Sequence, residues 1–134
     1  MREKFYIKRD AKELGKLSEF LKDFLRRNNI SEDFLYNLEL SVEEVVMNMI
    51  RHNTDTDEDI QIIIEKTNAK IILSLSDHEK TPFDITKISD VDFEAYFQEE
   101  KHGGLGIHLI KQIMDELTFE HKKGISTIHM VKKL

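Results

Sequence analysis

Residues 102–117 read His102-Gly103-Gly104-Leu105-Gly106-Ile107-His108-Leu109-Ile110-Lys111-Gln112-Ile113-Met114-Asp115-Glu116-Leu117, and three of the chain's five glycines fall within four of these positions. Leu105, Leu109, Ile113 and Leu117 recur every fourth residue, with Ile110 and Met114 beside them, which is the spacing of one apolar helix face. A glycine-rich loop that opens an amphipathic helix suits an anion. Backbone N–H groups can approach closely, and the helix N-terminus adds partial positive charge. The same stretch also reads as a hinge before a packed helix, and these residues alone do not separate the two.

Before this stretch, Lys4 to Arg9 has an apolar centre and charged ends, the pattern of a short strand. Asp10 is a natural N-cap for a helix running to about Asn28, with Leu14, Leu17, Leu21, Phe24 and Leu25 at helical spacing. Asn28-Asn29 breaks it. Ser31 caps a second helix whose apolar arc is Leu35, Leu38, Val42, Val45, Val46, Met49 and Ile50. The acidic run Thr54 to Asp59 reads as a solvated turn, since it lacks EF-hand spacing and glycine. Two strands follow, Ile60–Lys66 and Lys70–Ser76, joined at Thr67-Asn68-Ala69 and ending at Asp77. The segment from Asp84 to Lys101 has weak periodicity and reads as an irregular lid with a short helix near Phe93 to Phe97. Leu117–His121 and Ile125–Val131 form a last hairpin turning at Lys122-Lys123-Gly124.

The chain has 134 residues, 40% of them hydrophobic and 34% charged, the balance of one globular domain over 1–134. A formal charge of -6 disfavours nucleic acid as a partner. No apolar run approaches twenty residues and no secretory leader is evident, so no membrane span is expected. The absence of cysteine excludes disulfides and thiolate metal sites, and fits the cytoplasm.

On the second helix, Glu44, Asn48, Arg51 and His52 fall within roughly a quarter to a third of the circumference at about 100° per residue, opposite the apolar arc. A carboxylate can orient or deprotonate a hydroxyl, and an amide oxygen suits Mg²⁺. The plainer reading is a wet polar face.

Taken together, Glu44-x-x-x-Asn48, Asp77 followed by Phe83, and Gly103-Gly104-Leu105-Gly106-Ile107 resemble the three boxes of the GHKL, or histidine-kinase-like, ATPases. Within that superfamily the chain is similar to the RsbW-type anti-sigma factors, which are small serine-protein kinases. The likeness covers nearly the whole sequence, from Leu40-Ser41-Val42-Glu43-Glu44-Val45-Val46-Met47-Asn48 to Val131-Lys132-Lys133-Leu134. It implies an α+β fold, a two-layer α/β sandwich of the Bergerat type with a mixed, mostly antiparallel sheet and helices on one face.

The resemblance also implies ATP and Mg²⁺ as cofactors. Glu44 takes the position of the general base or orienting carboxylate, Asn48 that of the Mg²⁺ ligand, and Asp77 that of the group that reads the adenine amino group. Gly104 and Gly106 match the glycines that meet the phosphates. Phe83, Gly103, Leu105 and Ile107 complete the matching boxes, Arg51 and His52 flank the site, and Ser126 stands where relatives carry asparagine or threonine. The chain departs from the pattern at Asp77-His78-Glu79-Lys80-Thr81-Pro82-Phe83, where Glu79 replaces a glycine and one residue is inserted.

The function implied is phosphorylation of a serine on a small STAS-domain anti-anti-sigma protein, together with sequestration of a sigma factor. The alternative is a catalytically inactive partner-switching module with a degenerate nucleotide site. A homodimer through the first strand and helix is also implied, although the apolar face of Leu14 to Leu25 suits a core equally well. The ATP-binding half of a histidine kinase fits less well, because the chain begins directly at its first strand.

Overall fold

The computed structural model describes residues 1–54, 56–82, 84, 86 and 104–134. Along these the chain forms β1 (Arg2–Ile7), α1 (Leu14–Arg27), α2 (Leu35–His52), β2 (Ile60–Lys66), β3 (Lys70–His78), α3 (Gly104–Ile113), β4 (Glu116–Lys122) and β5 (Ile125–Lys133). The helix boundaries follow from local chemistry. The Asp10 carboxylate accepts from the Lys12 N–H at 3.0 Å and starts a short 3₁₀ turn that leads into α1. Asn29 ends α1 in the left-handed region at φ 54°, and the Ile30 and Asn29 N–H groups return to the Leu25 and Arg26 carbonyls. This is a Schellman closure, with Ile30 and Leu25 both buried. The Ser31 hydroxyl accepts from the Asp33 N–H at 3.2 Å and opens the next turn, into α2.

The five strands lie in the order β1-β2-β3-β5-β4, and every pairing is antiparallel. The sheet is therefore wholly antiparallel among the described strands, where the resemblance allowed a mixed one. Register places Phe5, Ile62, Leu75, Ile128 and Phe119 in one row across all five strands. Alternate residues of β2 and β3 are buried, and the face they form packs with Leu17, Leu21, Phe24 and Leu25 of α1 and with Leu38, Val42, Val45 and Val46 of α2. Ile107 and Ile110 of α3 join the same core. The helices thus cover one face, as expected. The apolar face of α1 is taken up by this core.

Several boundaries differ from the sequence reading. β1 begins earlier and ends at Ile7, leaving Arg9 outside the strand. β3 continues through Asp77 to His78, because Asp77 pairs with Ser126 of β5. α3 stops at Ile113, so Leu117 belongs to β4 and not to the helix face. The Lys132 ammonium donates to the Ile113 carbonyl at 2.7 Å, and the Asp115 N–H donates to Val131 at 2.8 Å, turning the chain straight into the sheet. At the final hairpin Lys123 and Gly124 both have positive φ, 52° and 76°, the requirement of a two-residue type I′ turn. The proposed lid and its helix near Phe93 lie outside the described residues, apart from Asp84 and Thr86. Among the described residues no helix is long and apolar enough to cross a membrane.

Candidate functional site

The polar positions of α2 do not form a wet face. Asn48 is only 1% exposed, while Arg51 and His52 are exposed in the last turn. Asn48 Nδ2 donates to the Glu44 carbonyl at 2.7 Å, and its Oδ1 is buried with no hydrogen-bond partner among the described residues. A buried amide oxygen left in this state is costly, so it calls for an explanation. Glu44 lies one turn earlier and faces the first turn of α3. A Cβ placed on Gly106 would come within 2.9 Å of Glu44 Cγ and nearer still to the carboxylate, so any larger residue here displaces the Glu44 side chain.

Asp77 is brought to the same region by the last ladder pairs of β3. It is fully buried and bound on both oxygens. Arg9 Nη1 donates to Oδ1 at 2.5 Å, and Asn53 Nδ2 donates to Oδ2 at 3.1 Å. Asn53 also donates to the His78 carbonyl. Arg9 and Asn53 were missed by the sequence reading. Asn53 directly follows the polar positions of α2 and could have been suspected. Nothing local marks Arg9, because its proximity to Asp77 arises from the pairing of β1 with β2 and β2 with β3.

Glu79 sits where the sheet ends. Its N–H donates to the Gly124 carbonyl at 2.8 Å, and His121 Nε2 donates to its carbonyl at 2.8 Å. Its carboxylate accepts from Ser126 Oγ at 3.1 Å. Asn48, Met49, His52, Asp77, Glu79, Phe119, Ser126 and Ile128 together line a cavity of about 20 Å³. That space holds a water molecule but no purine ring. Burial, followed by the Arg51 charge, pushes the His52 imidazole below its usual pKa, and the Glu79 carboxylate opposes the shift.

The fold therefore brings Asn48, His52, Asp77 and Ser126 to one cavity, with Arg51 next to it in sequence. Glu44 and Gly106 meet at the adjoining α2–α3 contact. Ile107 is fully buried in the core, and Gly104 begins α3. Leu105 lies in the same first turn. Phe83 and Gly103 fall outside the described residues.

A Ser–His–Glu series elsewhere has a different meaning. Ser74 Oγ lies 2.9 Å from His129 Nδ1, and His129 Nε2 lies 3.2 Å from Glu120 Oε1, on the sheet face away from the helices. Ser74 is in a central strand with ladder partners on both sides, Ile63 and His129, so its surroundings offer no spare N–H pair for an oxyanion. It is a cross-strand polar ladder.

The histidine kinase-like ATPase domain matches residues 7–132, nearly the full length. The chain belongs to this family. It is 28% identical over 121 residues to the serine-protein kinase RsbW of Listeria monocytogenes, covering 86% of this chain and 75% of that protein. It is 30% identical over 115 residues to the RsbW serine-protein kinase of Staphylococcus aureus, covering 79% and 70%. Its fold is similar to a chain of the SiaB–SiaC complex from Pseudomonas aeruginosa, with a TM-score of 0.64 at 13% identity over 98% of this chain and 88% of that one.

Proposed function

We propose that this protein is an ATP-dependent serine-protein kinase of the anti-sigma type. The observation that carries the reading is the buried, unpartnered amide oxygen of Asn48, one turn beyond a glutamate that packs on the glycine turn of α3. A hard cation is the natural partner for such an oxygen. Among the described residues no cluster of three or more His, Asp or Glu side chains could hold a metal. Mg²⁺ would thus enter with most of its shell supplied by phosphates and water, as Mg²⁺ prefers. When bound it would neutralise charge on the transferring phosphoryl group.

The chain's own residues then have distinct tasks. Asn48 holds the cation through Oδ1. Gly104 and Gly106, with Gly103 and Leu105, present the N-terminal turn of α3 to the phosphates. Glu44 accepts the proton of the partner's serine hydroxyl as that oxygen bonds to the γ-phosphorus and ADP leaves. Asp77 accepts from the adenine amino group. His52 and Ser126 border the pocket with Arg51 flanking it, and Ile107 and Phe83 belong to the boxes that bind the nucleotide. The substrate serine belongs to a STAS-domain anti-anti-sigma protein, and the unengaged kinase holds a sigma factor in the cytoplasm. A homodimer would use exposed positions such as Tyr6 on β1, since Leu17, Leu21, Phe24 and Leu25 are already buried in the core. We place no nucleic acid or membrane among the partners, and read residues 1–134 as one domain.

One observation favours the rival reading of a binding module without turnover. The cavity beside Asp77 is too small for a base, and the Glu79 carboxylate on Ser126 is part of what fills it. The kinase reading requires Glu79 to swing aside. The test is calorimetric titration of ATP with and without Mg²⁺, followed by radiolabelled phosphate transfer to candidate STAS partners. Magnesium-dependent binding and a labelled serine support the kinase. Partner binding with no nucleotide heat at millimolar concentration supports the module.

A further inference from the structure

Arg9 stands two residues past β1 and belongs to none of the motifs, yet its guanidinium closes on Asp77 across 68 positions of sequence. Nη1 donates to Oδ1 at 2.5 Å. Nη2 donates to Oδ2 at 3.3 Å and to the carbonyls of Met49 and Asn53, both at 2.9 Å. The two side chains are 10% and 0% exposed. A planar fork that also grips two carbonyls at the end of α2 cannot rotate, and the carboxylate it holds cannot rotate either.

An ionised carboxylate offers roughly four acceptor positions and no donor. Oδ2 already accepts from Arg9 and Asn53, and Oδ1 accepts from Arg9. The remaining capacity lies chiefly on Oδ1, in a side chain that lines the cavity. The pocket therefore presents a fixed acceptor that can neither turn nor donate.

We infer that Arg9, assisted by Asn53, is a positioning residue that sets base selectivity by locking Asp77 as an acceptor. This rests on the proposal above that Asp77 reads the base. A purine with an exocyclic amino group at C6 donates to Oδ1. A purine with an oxo group there brings a lone pair against the locked carboxylate, and a buried polar pair left unsatisfied is strongly rejected. Lysine at position 9 keeps the charge but loses the fork, so the carboxylate can turn away from the oxo group. In Asp77→Asn the amide sets its NH₂ against an Arg9 N–H whichever way it turns, so the fixed acceptor is lost.

The experiment is calorimetric titration of Mg·ATP and Mg·ITP into the full chain as wild type, Arg9→Lys and Asp77→Asn, with thermal unfolding of each variant. The wild type is expected to prefer ATP by about tenfold or more. Arg9→Lys should narrow that ratio by about tenfold, a change a purely structural ion pair does not produce. Asp77→Asn should abolish the preference for ATP. A folded Arg9→Lys protein with the wild-type ratio overturns the role of Arg9 and leaves the nucleotide reading intact. If Arg9→Lys does not fold, Asp77→Asn decides, and a retained ATP preference overturns the inference. Equal binding of the two nucleotides by the wild type, or binding of neither, removes Asp77 as a base reader and the inference with it.

Discussion

Gly106 in the first turn of α3 and Glu44 on α2 occupy one space: a Cβ at position 106 would lie 2.9 Å from Glu44 Cγ and closer to its carboxylate. The absence of a side chain at 106 is what gives the Glu44 side chain its place there. In the proposed kinase, the glycine turn that faces the phosphates also sets the position of the carboxylate that receives the proton.

Gly106→Ala should separate these two roles. Alanine favours a helix interior over glycine by up to about 1 kcal/mol, so the fold should survive, with the Glu44 carboxylate pushed aside. Single-turnover phosphate transfer is expected to fall by about a hundredfold, within the usual range of a general base. The thermal midpoint should stay within a few degrees. An unchanged rate would remove Glu44 from the chemistry.

Asn48→Ala removes a 2.7 Å hydrogen bond to the Glu44 carbonyl and also a buried oxygen without a partner. These effects oppose each other and leave a net stability change of about 1 kcal/mol or less. Nucleotide affinity should respond differently. The part of ATP affinity that depends on Mg²⁺ is expected to disappear, while affinity in EDTA stays as in wild type. Titration of both proteins with and without the metal checks this, and an equal magnesium effect in the two would place the cation elsewhere.

Glu79→Ala should enlarge the cavity beside Asp77 and release Ser126. ATP should bind about tenfold more tightly, equivalent to about 1.4 kcal/mol. Glu79→Gln, which keeps the bulk but not the charge, should give a smaller gain. If Glu79→Ala binds ATP no better than wild type, Glu79 does not limit access to the pocket.

Glu43 offers a pH test away from the pocket. Burial, then the charges of Glu39 and Glu44, raise its pKa above the ordinary 4.5. The folded state therefore holds this proton to higher pH than the unfolded chain does. Its contribution to stability falls as pH rises from 4.5 through the folded value, and stays reduced at neutral pH. Glu43→Gln should raise the thermal midpoint at pH 7, and the gain should shrink steadily as pH falls through and below 4.5, where Glu43 takes up its proton. A gain of the same size at every pH would point to packing instead of charge.

Much of this protein was legible in the order of its residues. Asp10 and Ser31 cap the short 3₁₀ turns that lead into α1 and α2, Asn29 takes the left-handed conformation that ends α1, and Lys123-Gly124 makes the tight final hairpin. These features depend on neighbours within a few positions, where capping, φ preference and side-chain periodicity act directly. The motif positions Glu44, Asn48, Asp77 and Gly106 were likewise visible as residue types at set spacings. Tertiary structure alone decided which of them are buried and what they touch. Helical spacing places Asn48 opposite the apolar arc, but only the packing of α2 among the sheet and α3 removes it from water. Asp77 shows a carboxylate near a strand end, and its partner Arg9 is fixed by the antiparallel order β1-β2-β3, which no local signal encodes. The meeting of Glu79 with Ser126 and of Gly106 with Glu44 has the same origin. Contacts between distant segments depend on how the sheet closes and how the helices settle on it, and that is settled by the summed burial of the whole core.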